Sequence, residues 1–218
     1  MLWTIQCVHT TVVGTALPYY CRYIFKDDEW MYSTLYIVET IVLILGPMIA
    51  PIFLKRMSKK TFALSGSILA VVGQVLFMLD VTSFTWAAIT TVIRSIGVAQ
   101  LSAVIFGILG DVVEYGQWKT HVRQESMIFG GSSFGYKVGT GLTSAVITFL
   151  MEASGYISST GTLVEQPQSA LDMISAIYIY GPIIVWVIAI IVLLFYRLDK
   201  IYPQIMVDLQ EREARGEL

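Results

Sequence analysis

Lys137 and Arg94 each stand near the middle of a long apolar run. Lys137 is about 10 residues into the run 127–151, which puts it roughly 15–21 Å from either end of a helix. A lysine stem reaches only a few ångströms towards water. Its ammonium must therefore face a wet cavity or a carboxylate, and a lone charge in hydrocarbon is costly. Two readings fit: a residue of a substrate or ion pathway, or a structural ion pair. Arg94 is about 11 residues into the run 84–109 and similarly deep. It can bind a sugar hydroxyl or carboxylate, or clamp a second helix. Glu39, nearer one end of the run 33–54, is a partner for Arg94 or faces a polar crevice. Arg22 ends the first run and can snorkel to the interface.

The first run carries Gln6, Thr10 and Tyr20 on one stripe, with His9 beside them; Thr4, Thr11 and Thr15 form a second polar set. These groups can line a cavity that binds hydroxyls, or they can bond helix to helix. Tyr19 and Tyr20, after Pro18, can instead be interfacial aromatics. The fifth run is dense in small residues, Gly130, Gly131, Ser132, Ser133, Gly135, Gly139, Gly141 and Ser144. Such residues let helix backbones approach closely.

Other chemistries find no residues. No nucleophile–base pair or phosphate loop is present, so a membrane-embedded enzyme is the weakest reading. On a continuous helix Cys7 and Cys21 would be roughly 21 Å apart, beyond disulfide reach. His9 and His121 have no ligand at metal spacing, so no metal is expected. A net charge of −2 offers no basic face for nucleic acid.

The elements that must position these residues are membrane helices. Of 218 residues 56% are hydrophobic and 14% charged, against about a quarter charged in a soluble domain. Mean hydropathy is +0.69. Lipid must therefore replace water over much of the surface. Six runs meet the length of a span: 2–24, 33–54, 62–79, 84–109, 127–151 and 173–196. The fold expected is all-α, an integral membrane six-helix bundle over residues 1–200, followed by a cytosolic tail, 201–218, that is a short helix or disordered. No basic leader precedes the first run, so it does not read as a signal peptide. Met1 opens almost directly into a span, which hints that something precedes it in an intact protein.

Loop charge gives the orientation. Lys55-Arg56-Met57-Ser58-Lys59-Lys60 joins runs two and three; Lys119 and Arg123 join four and five; Arg197 and Lys200 follow six. By the positive-inside rule these are cytoplasmic, with both termini. The other side holds Lys26-Asp27-Asp28-Glu29, a tight link at Asp80, and an acidic stretch, 152–172, whose Ser, Thr and Gly content marks an exposed loop. Six helices with both ends inside is the layout of half a major facilitator transporter. No internal repeat is evident in the sequence.

The most specific segment is 110–123, GDVVEYGQWKTHVR. Asp111 and Glu114 share a helix face, Tyr115 and Trp118 are close by, and Gly116 is expected to end or bend the helix. Lys119 and Arg123 follow. The group can form a charge network that ties this helix end to its neighbours and acts as a cytoplasmic gate; the alternative is a solvated loop that only sets topology.

This segment resembles the signature of the glycoside–pentoside–hexuronide:cation symporters of the major facilitator superfamily, in Asp111, Glu114, Tyr115, Gly116, Lys119, Thr120 and Arg123. The resemblance covers nearly the whole chain. Ala16-Leu17-Pro18-Tyr19-Tyr20 is similar to the family's helix seven, residues 51–60 to its basic eight–nine loop, and Tyr202-Pro203 fits its tail. It implies the C-terminal half of a sugar symporter, multi-pass in a bacterial inner membrane, with an N-terminal six-helix half as partner. It also implies a small sugar, glycoside or hexuronide substrate and a coupling Na+, Li+ or H+, with no other cofactor. Lys137 falls where the family has a lysine linked to sugar and cation binding. Ser102 stands where melibiose permease has a sugar-binding aromatic, which argues against melibiose-like specificity. The rival reading is a sensor or assembly protein that kept the bundle and lost transport.

Overall fold

The computed structural model describes residues 1–27, 29–158 and 164–215. Asp28, residues 159–163 of the long acidic loop and the last three residues of the tail lie outside the described residues. Seven helices appear among the described residues, with no strand: α1 Leu2–Tyr23, α2 Trp30–Leu54, α3 Lys59–Phe77, α4 Phe84–Thr120, α5 Glu125–Ala153, α6 Gln168–Phe195 and α7 Leu198–Ala214.

Local chemistry sets several helix starts. Asp27 Oδ1 accepts from the backbone N–H groups of Glu29, Trp30 and Met31, capping α2. Ser58 Oγ accepts from Thr61 N–H at α3, and Ser83 Oγ from Trp86 N–H at α4. These side chains satisfy N–H groups that a first turn leaves unpaired.

Helix α4 has 37 residues, about 55 Å of helix, against roughly 30 Å of hydrocarbon. Its final turns therefore project beyond the core. Gly116 does not end the helix, which continues to Thr120 and stops where His121 turns left-handed at φ 59°. The tail is helical, one of its two expected forms. Helix α7 begins at Leu198, directly after α6, so the expected division at residue 200 falls inside a helix.

Among the described residues, four helices, α2, α3, α4 and α6, are by length and composition apolar enough to cross a membrane. This corrects the count of six spans. Helices α1 and α5, of 22 and 29 residues, are long enough. The Gln, His and Thr of α1 and the Gly and Ser of α5 make them too polar to qualify on composition.

Helix α4 packs on α3 and α2, α1 packs on α6 and α5, and α3 meets α6. Exchanging α1–α3 for α4–α6 leaves this pairing unchanged, so the bundle repeats where the sequence shows no repeat. Two apolar clusters fill it, one around Leu17, Leu35, Phe77 and Tyr178, the other around Leu101, Trp186, Ala189 and Leu193.

Helices α3 and α4 approach closely. A Cβ on Gly97 would stand 2.4 Å from the Gly66 carbonyl oxygen, and one on Gly73 2.6 Å from Arg94 N. In α5 only part of the small-residue set packs: Gly135 and Gly139 meet Thr4 of α1, while Gly130, Gly131 and Gly141 face open space. Helix α2 buries only Leu35 and Ala50 and presents Ile37, Ile44, Met48 and Ile52 outward.

Candidate functional site

Arg94 is 2% exposed. Its Nη1 donates to Gln74 Oε1 at 3.0 Å and its Nη2 to Glu39 Oε2 at 3.3 Å. The guanidinium stands 5.8 Å from the Tyr178 ring centre, and Gln74 Nε2 donates to the Tyr178 carbonyl at 2.9 Å. One cation thus joins α2, α3, α4 and α6. Of the two readings of Arg94, this geometry is the clamp, with Glu39 as its partner. So enclosed, it offers no surface to a solute.

Tyr20 also leaves the expected pathway. It is 0% exposed, donates its hydroxyl to the Val81 carbonyl at 2.7 Å and packs against Phe77 and Tyr178. The turn between α3 and α4 covers the end of α1, so a stripe open at Thr10 is closed at Tyr20. His9 is buried too, its Nδ1 accepting from Trp186 Nε1 at 3.0 Å.

The remaining pathway residues lie on an open face. Thr10 is exposed, its hydroxyl donating to the Gln6 carbonyl at 3.2 Å. Gln6 Nε2 donates to Ser102 Oγ, and Ser102 donates to the Val98 carbonyl at 3.1 Å. Three aromatics that the sequence did not single out adjoin this pair. Trp3 stacks on Tyr136 at 5.8 Å between centroids and meets Phe106 edge-on at 5.4 Å. They come from α1, α5 and α4, so only the folded chain unites them. Lys137 follows Tyr136 on α5; it is exposed and has no side-chain partner among the described residues. The face therefore carries aromatic surface, an amide and hydroxyls, groups that hold and orient polar organic solutes, and Lys137 adds an exposed ammonium one residue along α5 from Tyr136.

The signature segment forms a second centre. Asp111, nearly enclosed, meets Lys59 Nζ at 2.5 Å; side-chain exposures are 4% and 36%. The Lys59 ammonium also stands 5.2 Å from the Tyr202 ring centre. Glu114 accepts from the Tyr202 hydroxyl. Burial first, then the bond to Glu114 and the charges of Asp111 and Glu114, raise the Tyr202 phenol above its ordinary range, so it remains a donor at neutral pH. Trp118 Nε1 donates to Asp208 at 2.9 Å, and Arg212 to the Trp118 carbonyl at 3.0 Å. Asp199 accepts from the Lys60 backbone N–H at 2.9 Å. The segment thus binds α4 to the start of α3 and to α7.

Lys119 and Arg123 do not join this network. Lys119 lies 6.0 Å from the Tyr115 ring centre. Arg123 pairs with Glu125 at 3.3 Å, both side chains more than half exposed, and donates to Gln117 at 3.2 Å. The sequence placed these cations beside the acids because they are near in the chain. Helix α4 continues past Gly116 and carries them away, and Lys59 and Tyr202 meet the acids instead. No group of three or more His, Cys, Asp or Glu suited to a metal ion occurs among the described residues.

Residues 2–200 match the family described as MFS/sugar transport protein. The chain belongs to that family. It is 34% identical over 177 residues to an isoprimeverose transporter of Lactiplantibacillus pentosus, covering 80% of this chain and 36% of that protein. It is 28% identical over 209 residues to a glucuronide carrier protein homolog of Escherichia coli strain K12, covering 94% of this chain and 45% of that protein. With a putative sulfoquinovose importer of Salmonella typhimurium it shares 26% over 200 residues, 91% of this chain and 41% of that one. The chain spans less than half the length of these relatives. Membership agrees with the resemblance carried by the signature segment and with the apolar helices: this is a multi-pass membrane protein of the sugar-transporter group.

Proposed function

We propose that the chain is the C-terminal six-helix half of a sugar or glycoside:cation symporter, with both ends cytoplasmic, in the inner membrane of a bacterium. A complementary N-terminal half supplies the other wall of the substrate cavity, as alternating access between two halves requires. One observation carries the reading: an open face with the Trp3, Tyr136 and Phe106 rings, the Gln6–Ser102 pair and Thr10, and, next in sequence to Tyr136, an exposed Lys137 with no side-chain partner among the described residues. The rings and polar groups suit a sugar, glycoside or hexuronide. Lys137 suits a substrate carboxylate or links the sugar to the site of a coupling Na+, Li+ or H+. Asp111 and Glu114, with Lys59 and Tyr202, brace the cytoplasmic end against which the gate closes, and Tyr115, Lys119 and Arg123 are left to face the other half.

The test joins this chain to a complementary half in proteoliposomes and measures uptake of pentosides, galactosides and hexuronides with and without a cation gradient. Gradient-driven accumulation is expected, and Lys137→Ala should abolish it while the protein inserts normally. Lys137→Arg should also impair it, since a guanidinium differs in shape and hydration. Accumulation equal to the parent in both variants would remove Lys137 from the site. Orientation is checked with an impermeant thiol reagent added outside intact cells: Asp80→Cys should be labelled and Ser58→Cys spared.

A further inference from the structure

The repeated helix pairing creates two related grooves. One, of about 480 Å³, lies between α2 and α3 with α4 as its floor; Ile49, Phe53, Met57, Phe62, Ile96 and Gln100 are among its walls. The other, of about 400 Å³, lies between α5 and α6 over α1. Both are apolar, and their ends differ in charge. The first ends at Phe53 and Met57, which flank Lys55 and Arg56. Those two cations are exposed and have no side-chain partner among the described residues, whereas Lys59 and Lys60 of the same turn are engaged with Asp111 and with the Leu194 and Tyr196 carbonyls. The second groove ends at Leu150 and Met173, each within two residues of an exposed acid, Glu152 and Asp172.

We propose that the α2–α3 groove is a binding site for an anionic phospholipid, with one acyl chain along α2 and the phosphate on Lys55 and Arg56. The dimensions fit. From Phe53 to Val42 the groove follows α2 for about 16 Å, close to half of a hydrocarbon core roughly 30 Å thick. The cations stand where α2 ends, at the level of headgroups, and the groove runs inward from them. A packing helix from another protein would leave both charges to be matched by carboxylates of its own; a phospholipid brings the anion at the right height. Basic clusters at the cytoplasmic ends of membrane helices select anionic lipid in this way. The site is separate from the proposed sugar face on α1, α4 and α5.

The experiment is native mass spectrometry of the purified chain titrated with phosphatidylglycerol or phosphatidylcholine of identical acyl chains. Phosphatidylglycerol should bind about tenfold tighter or better. Lys55→Gln with Arg56→Gln should remove that preference and leave phosphatidylcholine binding unchanged. Ile49→Trp, at a half-exposed wall position, should weaken both lipids while the charges remain; circular dichroism and the melting temperature check that each variant folds. Equal binding of the two lipids by the parent, or a preference that survives the double substitution, would overturn the proposal. So would loss of the preference when the complementary transporter half is bound, because the groove would then belong to that half.

Discussion

Arg94 and Lys137 carry the same charge at similar depth in their runs, yet their surroundings are opposite. Arg94 is held by Glu39 and Gln74 and faces the Tyr178 ring. Lys137 stands on the outer face of α5 without a partner among the described residues. Sequence depth alone could not separate them, because it reports distance from the interface and not which helices lie alongside. Arg94 is on α4, which packs against α2 and α3; Lys137 is on α5, which packs on α1, with Gly135 and Gly139 against Thr4. A charge at the centre of the bundle is committed to structure. A charge on an open face is available to a ligand.

The strongest way to break this comparison is to remove each charge and measure stability. Arg94→Ala leaves Glu39 and Gln74 enclosed without their donor, and loss of one partner of a buried ion pair costs about 3–5 kcal/mol. The melting temperature in detergent should fall sharply. Lys137→Ala should leave it within the scatter of surface substitutions. Equal melting of the two variants would mean that the clamp does not hold the bundle.

Next in size is the pair at the base of α4. Asp111 is enclosed and Lys59 is not, so removing them is not symmetric. Lys59→Ala leaves a buried carboxylate unpaired and should cost about 2 kcal/mol, less than a fully buried pair because Lys59 is partly in water. Asp111→Ala frees a lysine that can turn to solvent, and should cost less. The reverse order by chemical unfolding would place the burden on Lys59.

Tyr202 gives a smaller effect with a pH signature. Its folded pKa lies above the ordinary value of about 10. The native state therefore holds the proton more tightly than the unfolded state. The stability it contributes is complete below the ordinary tyrosine value and is lost as pH rises through the folded value. Parent protein should loosen α7, by proteolysis or hydrogen exchange, in the strongly alkaline range. Tyr202→Phe should lose about 1 kcal/mol at neutral pH and the tyrosine-linked alkaline step with it. An unchanged alkaline profile in Tyr202→Phe would assign the step to other groups.

Most helix limits were legible, because apolar runs of membrane length stand out in the sequence. The expected run 2–24 became Leu2–Tyr23, for example, but the run 84–109 stopped well short of the end of α4 at Thr120. The family was legible because its signature is contiguous. The repeat was not, since helix pairing depends on backbone shape and not on residue identity. Nor were the Trp3–Tyr136–Phe106 cluster and the bonds of Asp111 and Glu114, whose members come from distant parts of the chain. Reading Lys119 and Arg123 as partners of those acids assumed that the chain folds back at Gly116; a helix that continues instead directs them elsewhere.

The smallest effect tests that point. Arg123 sits in the signature, yet its ion pair with Glu125 is exposed on both sides and two residues apart in the chain. Exposed pairs of this kind contribute about 0–1 kcal/mol, since water competes for both charges and two long side chains must be ordered. Arg123→Ala should therefore leave the melting temperature of this chain almost unchanged, and added salt should change it little further. If Arg123 serves the gate, its partner must be in the complementary half. In the assembled transporter Arg123→Ala should then favour the inward-open state, seen as faster labelling of a cysteine placed at Thr10 from the cytoplasmic side. A large loss of stability in the isolated chain would show that Arg123 braces the base of α4 itself. Unchanged labelling in the assembled protein would reduce Arg123 to a determinant of orientation.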